Sequence, residues 1–317
     1  MESRWICFIS VNFLMQNKQE IVGVICHDAG GAEIVSSYIL LNNIKAKYCL
    51  KGPAIRVFER KFGTIKNNSL IDLVNESSWL LSGTSWQSNL EYNAIRESIK
   101  QDKRIVVFLE HWINYPERFE RNGITLLPDE IWVGDVYAKN IAEGCFENTN
   151  IELKDNPYLS IVRKSLSRFK PKKEMEGKYT ALYVCENISS HMLLKYEDEN
   201  YLGYTEHDSL KLFLDNIDKI NKNIDTIILR PHPSDSNPQE KYNWIERHPV
   251  YTLYDVQFSK EESLLQDIVD CDIVVGAESM AMVVGMTAEK RVVSSIPKEG
   301  RKCVLPFPEI EHILKIK

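Results

Sequence analysis

Ile227-Ile228-Leu229-Arg230-Pro231-His232-Pro233-Ser234-Asp235 reads as a buried strand that runs into a rigid turn. Proline fixes its own φ and biases the residue before it towards extended backbone, so His232 is held at a defined place just past a strand end. Open α/β sheets bind ligands at the carboxyl ends of parallel strands. Arg230, His232 and Ser234 at such an end, stiffened by Pro233, make a cradle for phosphate oxygens. An ordinary turn with an exposed histidine is the alternative reading.

Outward from this strand, short apolar runs alternate with amphipathic stretches, the pattern of parallel sheets flanked by helices. The first half predicts strands at Ile21–Cys26, Ala46–Leu50, Trp79–Ser82, Ile105–Leu109 and Glu130–Val133, with helices at Ala32–Asn42, Asn89–Gln101 and Val136–Glu143. The second half predicts strands at Tyr179–Cys185, Thr226–Leu229, Val250–Leu253, Ile273–Val275 and Arg291–Ser294. Its helices are expected at Asp208–Lys222, Gln239–Arg247, Leu264–Asp270 and Met280–Met286. The charged, proline-bearing stretch between the halves fits an inter-domain connection. The expected organisation is α/β: two Rossmann-like, doubly wound lobes facing across a cleft. Residues 1–155 would form the first lobe, 156–177 a linker and 178–317 the second lobe.

With 317 residues, 44% hydrophobic and 26% charged, the chain has the makeup of a globular protein of two domains. A net charge of −6 argues against general affinity for nucleic acid. Seven cysteines are scattered without CxxC or zinc-like spacing, which suits buried thiols in a reducing cytoplasm. The apolar stretch Trp5–Met15 is too short for a transmembrane helix and lacks the marks of a signal peptide, so an extra edge strand is one expectation for it. Lys170, Lys172 and Lys173 allow loose contact with an anionic bilayer, or simply form a solvated face.

A second phosphate-friendly turn lies in Ile273-Val-Val-Gly-Ala-Glu-Ser-Met280. Small residues at Gly276 and Ala277 permit close backbone approach, and a helix opening at Ser279-Met280 points free N–H groups at an anion. Glu278 would hold a ribose hydroxyl pair, while Ser279 serves either phosphate or plain N-cap. In the first half, Val24-Ile-Cys-His27-Asp28-Ala29-Gly30-Gly31 is strand, glycine turn, helix, but neither GxGxxG nor a Walker loop. Gly30 and Gly31 would let another molecule approach the backbone, with His27 and Asp28 pointing into the cleft. Asp28 is then a general base for a hydroxyl nucleophile, or a helix cap. Glu110-His111-Trp112 ends another strand, offering two further acid/base candidates and an indole for sugar stacking or for core. Glu186, past Tyr179–Cys185, would face the same cleft. No His/Cys/Asp cluster has metal spacing, and no obligatory metal or other cofactor is expected.

Together these residues resemble the GT-B class of glycosyltransferases, in particular bacterial enzymes of surface polysaccharide biosynthesis. Arg230-Pro231-His232-Pro233 is similar to the His-Pro motif of sialyl- and Kdo transferases, which use CMP-activated sugars. The resemblance implies that His232 contacts the nucleotide phosphate and that Ser279 adds contacts at a helix start. Those families carry an acidic motif in the first lobe, where this chain has His27-Asp28-Ala29-Gly30. The implied reaction is inverting, metal-independent sugar transfer from a nucleotide-sugar donor to a saccharide or lipid-linked saccharide acceptor, at the cytoplasmic side of the membrane. The same fold also serves sugar-nucleotide epimerases and CDP-glycerol-type phosphotransferases, and a non-catalytic subunit of a polysaccharide assembly complex would retain it too.

Overall fold

A computed structural model describes residues 20–171, 177–261 and 263–316. Trp5–Met15, Lys172 and Lys173 lie outside the described residues. The first sheet contains β1 (Val22–Cys26), β2 (Ala46–Leu50), β3 (Trp79–Ser82) and β4 (Ile105–Leu109). A small antiparallel hairpin, β5 (Glu120–Arg121) and β6 (Ile124–Thr125), stands apart, and β7 (Glu130–Val133) and β8 (Asn150–Leu153) complete the sheet in the order β2-β1-β3-β4-β7-β8. The second sheet holds β9 (Tyr179–Val184), β10 (Ile224–Arg230), β11 (Asp255–Phe258), β12 (Ile273–Gly276), β13 (Arg291–Ser294) and β14 (Glu311–His312). Its order is β11-β10-β9-β12-β13-β14.

Every pairing in both sheets is parallel. Such strands are covered by helices on both faces, and β1, β4 and β12 are accordingly buried from end to end. The order reverses between β1 and β3 and again between β9 and β12, so each lobe has a switch point where neighbouring crossovers leave a crevice. The helix Pro157–Leu166 packs on Ala29–Leu41 of the first lobe and on Leu264–Asp270 and Met280–Thr287 of the second. The helix Pro157–Leu166 therefore forms a wedge between the lobes.

Several expectations need correction. Val250–Leu253 is a short helix, not a strand: Pro249 precedes it in the right-handed helical region, Tyr254 N–H closes on the Val250 carbonyl at 3.0 Å, and Leu253 is exposed. Its apolar composition resembles a strand, but the edge strand begins later, at Asp255, where Thr226 of β10 pairs with it. Asp208–Lys222 is two helices, Glu206–Leu214 and Ile217–Ile220, and Gln239–Arg247 divides into Pro238–Lys241 and a 3-10 turn at Asn243–Arg247.

Close backbone approach fixes the first switch point. A Cβ on Gly83, just after β3, would stand 2.9 Å from the Gly31 Cα. Gly83→Ala is expected to force the helix Ala29–Leu41 away from β3 and to cost about 1–3 kcal/mol by overpacking, read as a lower midpoint in urea unfolding.

Candidate active site

The carboxyl ends of the two sheets face each other. Trp112, past β4, packs edge-on against Phe307 of the second lobe at 5.1 Å, and Lys195 Nζ of the second lobe lies 5.6 Å from the Trp86 ring of the first. The Arg301 guanidinium is near enough to His111 to disfavour its protonation. His111, Trp112 and the Glu278-paired Arg301 therefore meet in one inter-lobe region.

Asp28 occupies the N-cap position of Ala29–Leu41 but makes no side-chain capping bond. Its Oδ1 instead meets His27 Nδ1 at 2.7 Å and accepts from Ser85 Oγ at 2.8 Å. The other face of the imidazole is closed by Gly52, where a Cβ would come within 2.7 Å of Nε2 and where φ is +51°. His27 is thus locked as an orienting partner of Asp28. Behind it, the buried Glu91 accepts the His27 N–H at 2.6 Å, while its second oxygen has no partner among the described residues. Burial pushes this carboxyl from its ordinary 4.5 up to about 7.

Glu110 is committed to its surroundings: Arg118 Nη1 lies at 2.5 Å and Thr84 Oγ1 donates at 2.9 Å. His111 Nδ1 accepts the Trp112 N–H at 3.0 Å, which leaves the proton of the neutral ring on Nε2. Burial, and then the Arg118 charge, push His111 down to about 4, so it is a neutral donor at pH 7. Trp112 is buried, with Nε1 on Asp135 at 2.9 Å, so its ring joins the lobes instead of offering a stacking face. Gly31 is likewise filled by the Gly83–Thr84 backbone, while Gly30 stays exposed beside Glu110.

In the second lobe a directed chain of donors ends on His232. Lys241 Nζ donates to Asn187 Oδ1 (3.2 Å), Asn187 Nδ2 to Ser234 Oγ (2.9 Å), and the Ser234 hydroxyl to His232 Nδ1 (2.7 Å). Ser234 N–H also donates to Nδ1, so the neutral ring carries its proton on Nε2. Burial, with nearby His191 second, holds the ring below the usual histidine range. Lys241 also pairs with Glu206 (2.6 Å) and Asp235 (2.9 Å), and Asp235 accepts the His232 N–H. Asn187, Ser190, Ser234, Asp235 and Lys241 line a pocket of about 330 Å³ beside this turn, in which Pro233 is exposed.

Arg230 does not join His232. Its guanidinium turns to the buried Asp267, to which it is ion-paired, and to the Glu261 carbonyl at 3.0 Å. Ser279 acts as the N-cap of Met280–Thr287, accepting from Ala281 N–H. The N–H groups of Ala277 and Glu278 donate to Glu186 Oε1 at 3.1 and 2.9 Å, so the expected anion position is already filled by a carboxyl group of the protein itself. Glu186 is pushed up to about 7, first by burial and then by Glu278, whose own carboxylate is paired with Arg301. A separate pocket of about 310 Å³ extends from Thr180 and Asp272, at the amino-terminal ends of β9 and β12, to Ser259, Glu261 and Asp267, the partners of Arg230.

Sequence reasoning missed Ser85, Arg118, Lys241 and Arg301. Thr84-Ser85 directly follows β3 at the switch point, a signal that was legible; Arg118 and Lys241 lie on helices whose packing alone brings them in.

No protein-family model matches the chain, and no curated protein matches its sequence. Solved structures match over most of its length. The UDP-GlcNAc 2-epimerase of Methanocaldococcus jannaschii superposes with a TM-score of 0.54 at 12% identity, covering 86% of this chain and 83% of that one. A putative UDP-N-acetylglucosamine 2-epimerase of Listeria monocytogenes gives 0.57 at 11% identity, over 87% and 79%. HepE of Anabaena, solved in complex with UDP and glucose, gives 0.52 at 14% identity, over 87% and 80%. The fold is GT-B-like. At such identities the likeness is one of architecture, and the GT-B-like frame accounts for two switch points brought opposite one another.

Glu91 makes a pH test of this arrangement. Its folded value is raised, so the folded state binds the proton more tightly and the group's contribution to stability falls as pH rises from about 4.5 through about 7. Glu91→Gln keeps the acceptor for the His27 N–H and cannot ionise. Its stability relative to the parent should therefore climb between pH 5 and pH 8, with a slope of at most about 1.4 kcal/mol per pH unit. Parallel unfolding curves across that range would contradict the assignment.

Proposed function

We propose that the protein is an inverting, metal-independent glycosyltransferase that takes a nucleotide-activated sugar, with CMP-linked donors the first to test, and passes it to a saccharide or lipid-linked saccharide acceptor in polysaccharide biosynthesis. The observation that carries this reading is Asp28: it stands at a helix N-cap yet its carboxylate is held by His27 and Ser85, an arrangement that capping does not explain. Asp28 accepts the proton of an acceptor hydroxyl as that oxygen attacks the anomeric carbon. The bond from that carbon to the donor phosphate breaks, and its electrons leave with the phosphate oxygen. His232, held by the Lys241–Asn187–Ser234 chain with Nε2 as donor, meets the charge that grows there. Neutral His111 and the Glu278–Arg301 pair flank the transferred sugar. Among the described residues no helix is long and apolar enough to cross a membrane, and the proposed place of action is the cytoplasm, at the inner membrane face.

A sugar-nucleotide epimerase is the second reading. It is favoured by Glu110, His111, Glu186 and Glu278 coming from both lobes, and by the 2-epimerase of Neisseria meningitidis, solved bound to UDP-GlcNAc, with a TM-score of 0.54 at 12% identity. Incubation with CMP-, UDP-, GDP- and CDP-sugars separates the two. An epimerase alters the donor sugar with no acceptor present, whereas a transferase releases nucleotide and depends on acceptor. Inactivity and lack of binding with every donor would sink both.

Two variants test the assigned roles. Asp28→Asn should lower turnover by about 100-fold or more with donor affinity retained, as expected for loss of a general base. His232→Ala should weaken donor binding and slow turnover by roughly 30- to 1,000-fold, with the thermal midpoint little changed. A large loss of stability with unchanged donor affinity would instead make His232 a structural residue.

A further inference from the structure

The segment after β13 borders, with the carboxyl ends of β13 and β14, a half-open cavity of about 510 Å³. That volume lies within the range of small-molecule sites, roughly 300–1,000 Å³. Ile296, Leu305, Phe307 and Ile310 supply an apolar lining, and Lys298, Lys302 and Lys315 contribute cations. Among the described residues, no aspartate or glutamate lines it, in a chain whose net charge is −6. Among the described residues, none of these three lysines is ion-paired, whereas Arg301 in the same wall is taken by Glu278.

Unpaired ammonium groups around an apolar cavity suit one class of ligand, an anion carried on a hydrocarbon body. We propose that this cavity binds a phosphate ester of an apolar chain, with the chain against Leu305 and Ile310 and the phosphate among Lys298, Lys302 and Lys315. Phe307 ties the cavity to the cleft, since the same ring packs on Trp112 and Tyr137 of the first lobe. Within the proposed transferase the site would seat the lipid phosphate of a lipid-linked acceptor. That role rests on the transferase reading, while the binding itself does not.

The test is calorimetric titration of the full chain, without donor, with farnesyl phosphate below its critical micelle concentration, and in separate arms with farnesol and inorganic phosphate. Farnesyl phosphate should bind at least about tenfold more tightly than either fragment, since both the apolar and the charge-assisted contacts are needed. The double variant Lys298→Glu/Lys315→Glu should weaken it by about tenfold or more, while Lys139→Glu on the first lobe leaves it unchanged. Both lysines are exposed, and a thermal melt checks that the variant is folded. Equal binding of farnesol, equal binding of inorganic phosphate, no binding, or indifference to the double variant would each overturn the site. Nucleotide binding measured on the same samples reports separately on the donor lobe, so failure here is distinguishable from failure of the transferase reading.

Discussion

Parallel pairing imposes the constraint from which the site follows. When every strand in a sheet runs the same way, all carboxyl ends emerge along one edge, and the crossover helices must cover both faces. Residues far apart in the chain, such as Asp28, Ser85 and Glu110 in one lobe and Glu186, His232 and Glu278 in the other, then come to the same two edges without any contact that selects them individually. What remains is to turn the edges towards one another. The wedge helix Pro157–Leu166 and the Trp112–Phe307 contact do that by burying apolar surface between the lobes.

Within this frame the two lobes handle charge differently. In the first, Glu110 is balanced by Arg118 and Asp28 by hydrogen-bond donors, while Glu91 lies buried with one oxygen unsatisfied among the described residues. In the second, Glu186 fills the N–H pair at the start of the β12 turn, and Glu278 is tied to Arg301. A carboxyl group placed on two N–H groups satisfies donors that would otherwise be orphaned, at the cost of burying it beside a second one. The donor chain from Lys241 to His232 runs over the neighbouring strand ends, and it presents a proton on Nε2.

Much of this was legible in the residues themselves. The apolar runs at β1, β4, β9 and β12 announce buried parallel strands, and the prolines flanking His232 announce a stiff turn at a strand end. Val250–Leu253 misled because apolar β-branched and aromatic residues suit a short helix packed on a sheet edge as well as a strand, and only pairing with β10 decides which segment forms the edge. The short strands β8 and β14 carry too few apolar residues to declare themselves, and they exist because an adjacent strand offers them partners.

The amino-acid order determined which groups stand at the strand ends, because period and turn chemistry act over a few residues. Their employment was decided by the tertiary structure. Arg230 follows its strand into the His-Pro turn, yet its guanidinium swings to Asp267, 37 residues on, because a buried carboxylate requires a cation. Trp112 stands beside two acid/base candidates and becomes a contact between lobes, since Phe307 covers it. Asp28 has the position of a cap but takes partners other than the helix N–H groups, and the difference is made by Ser85, brought alongside by the parallel pairing of β1 with β3. Side-chain partners are chosen by packing over long sequence separations, and local pattern carries no record of them.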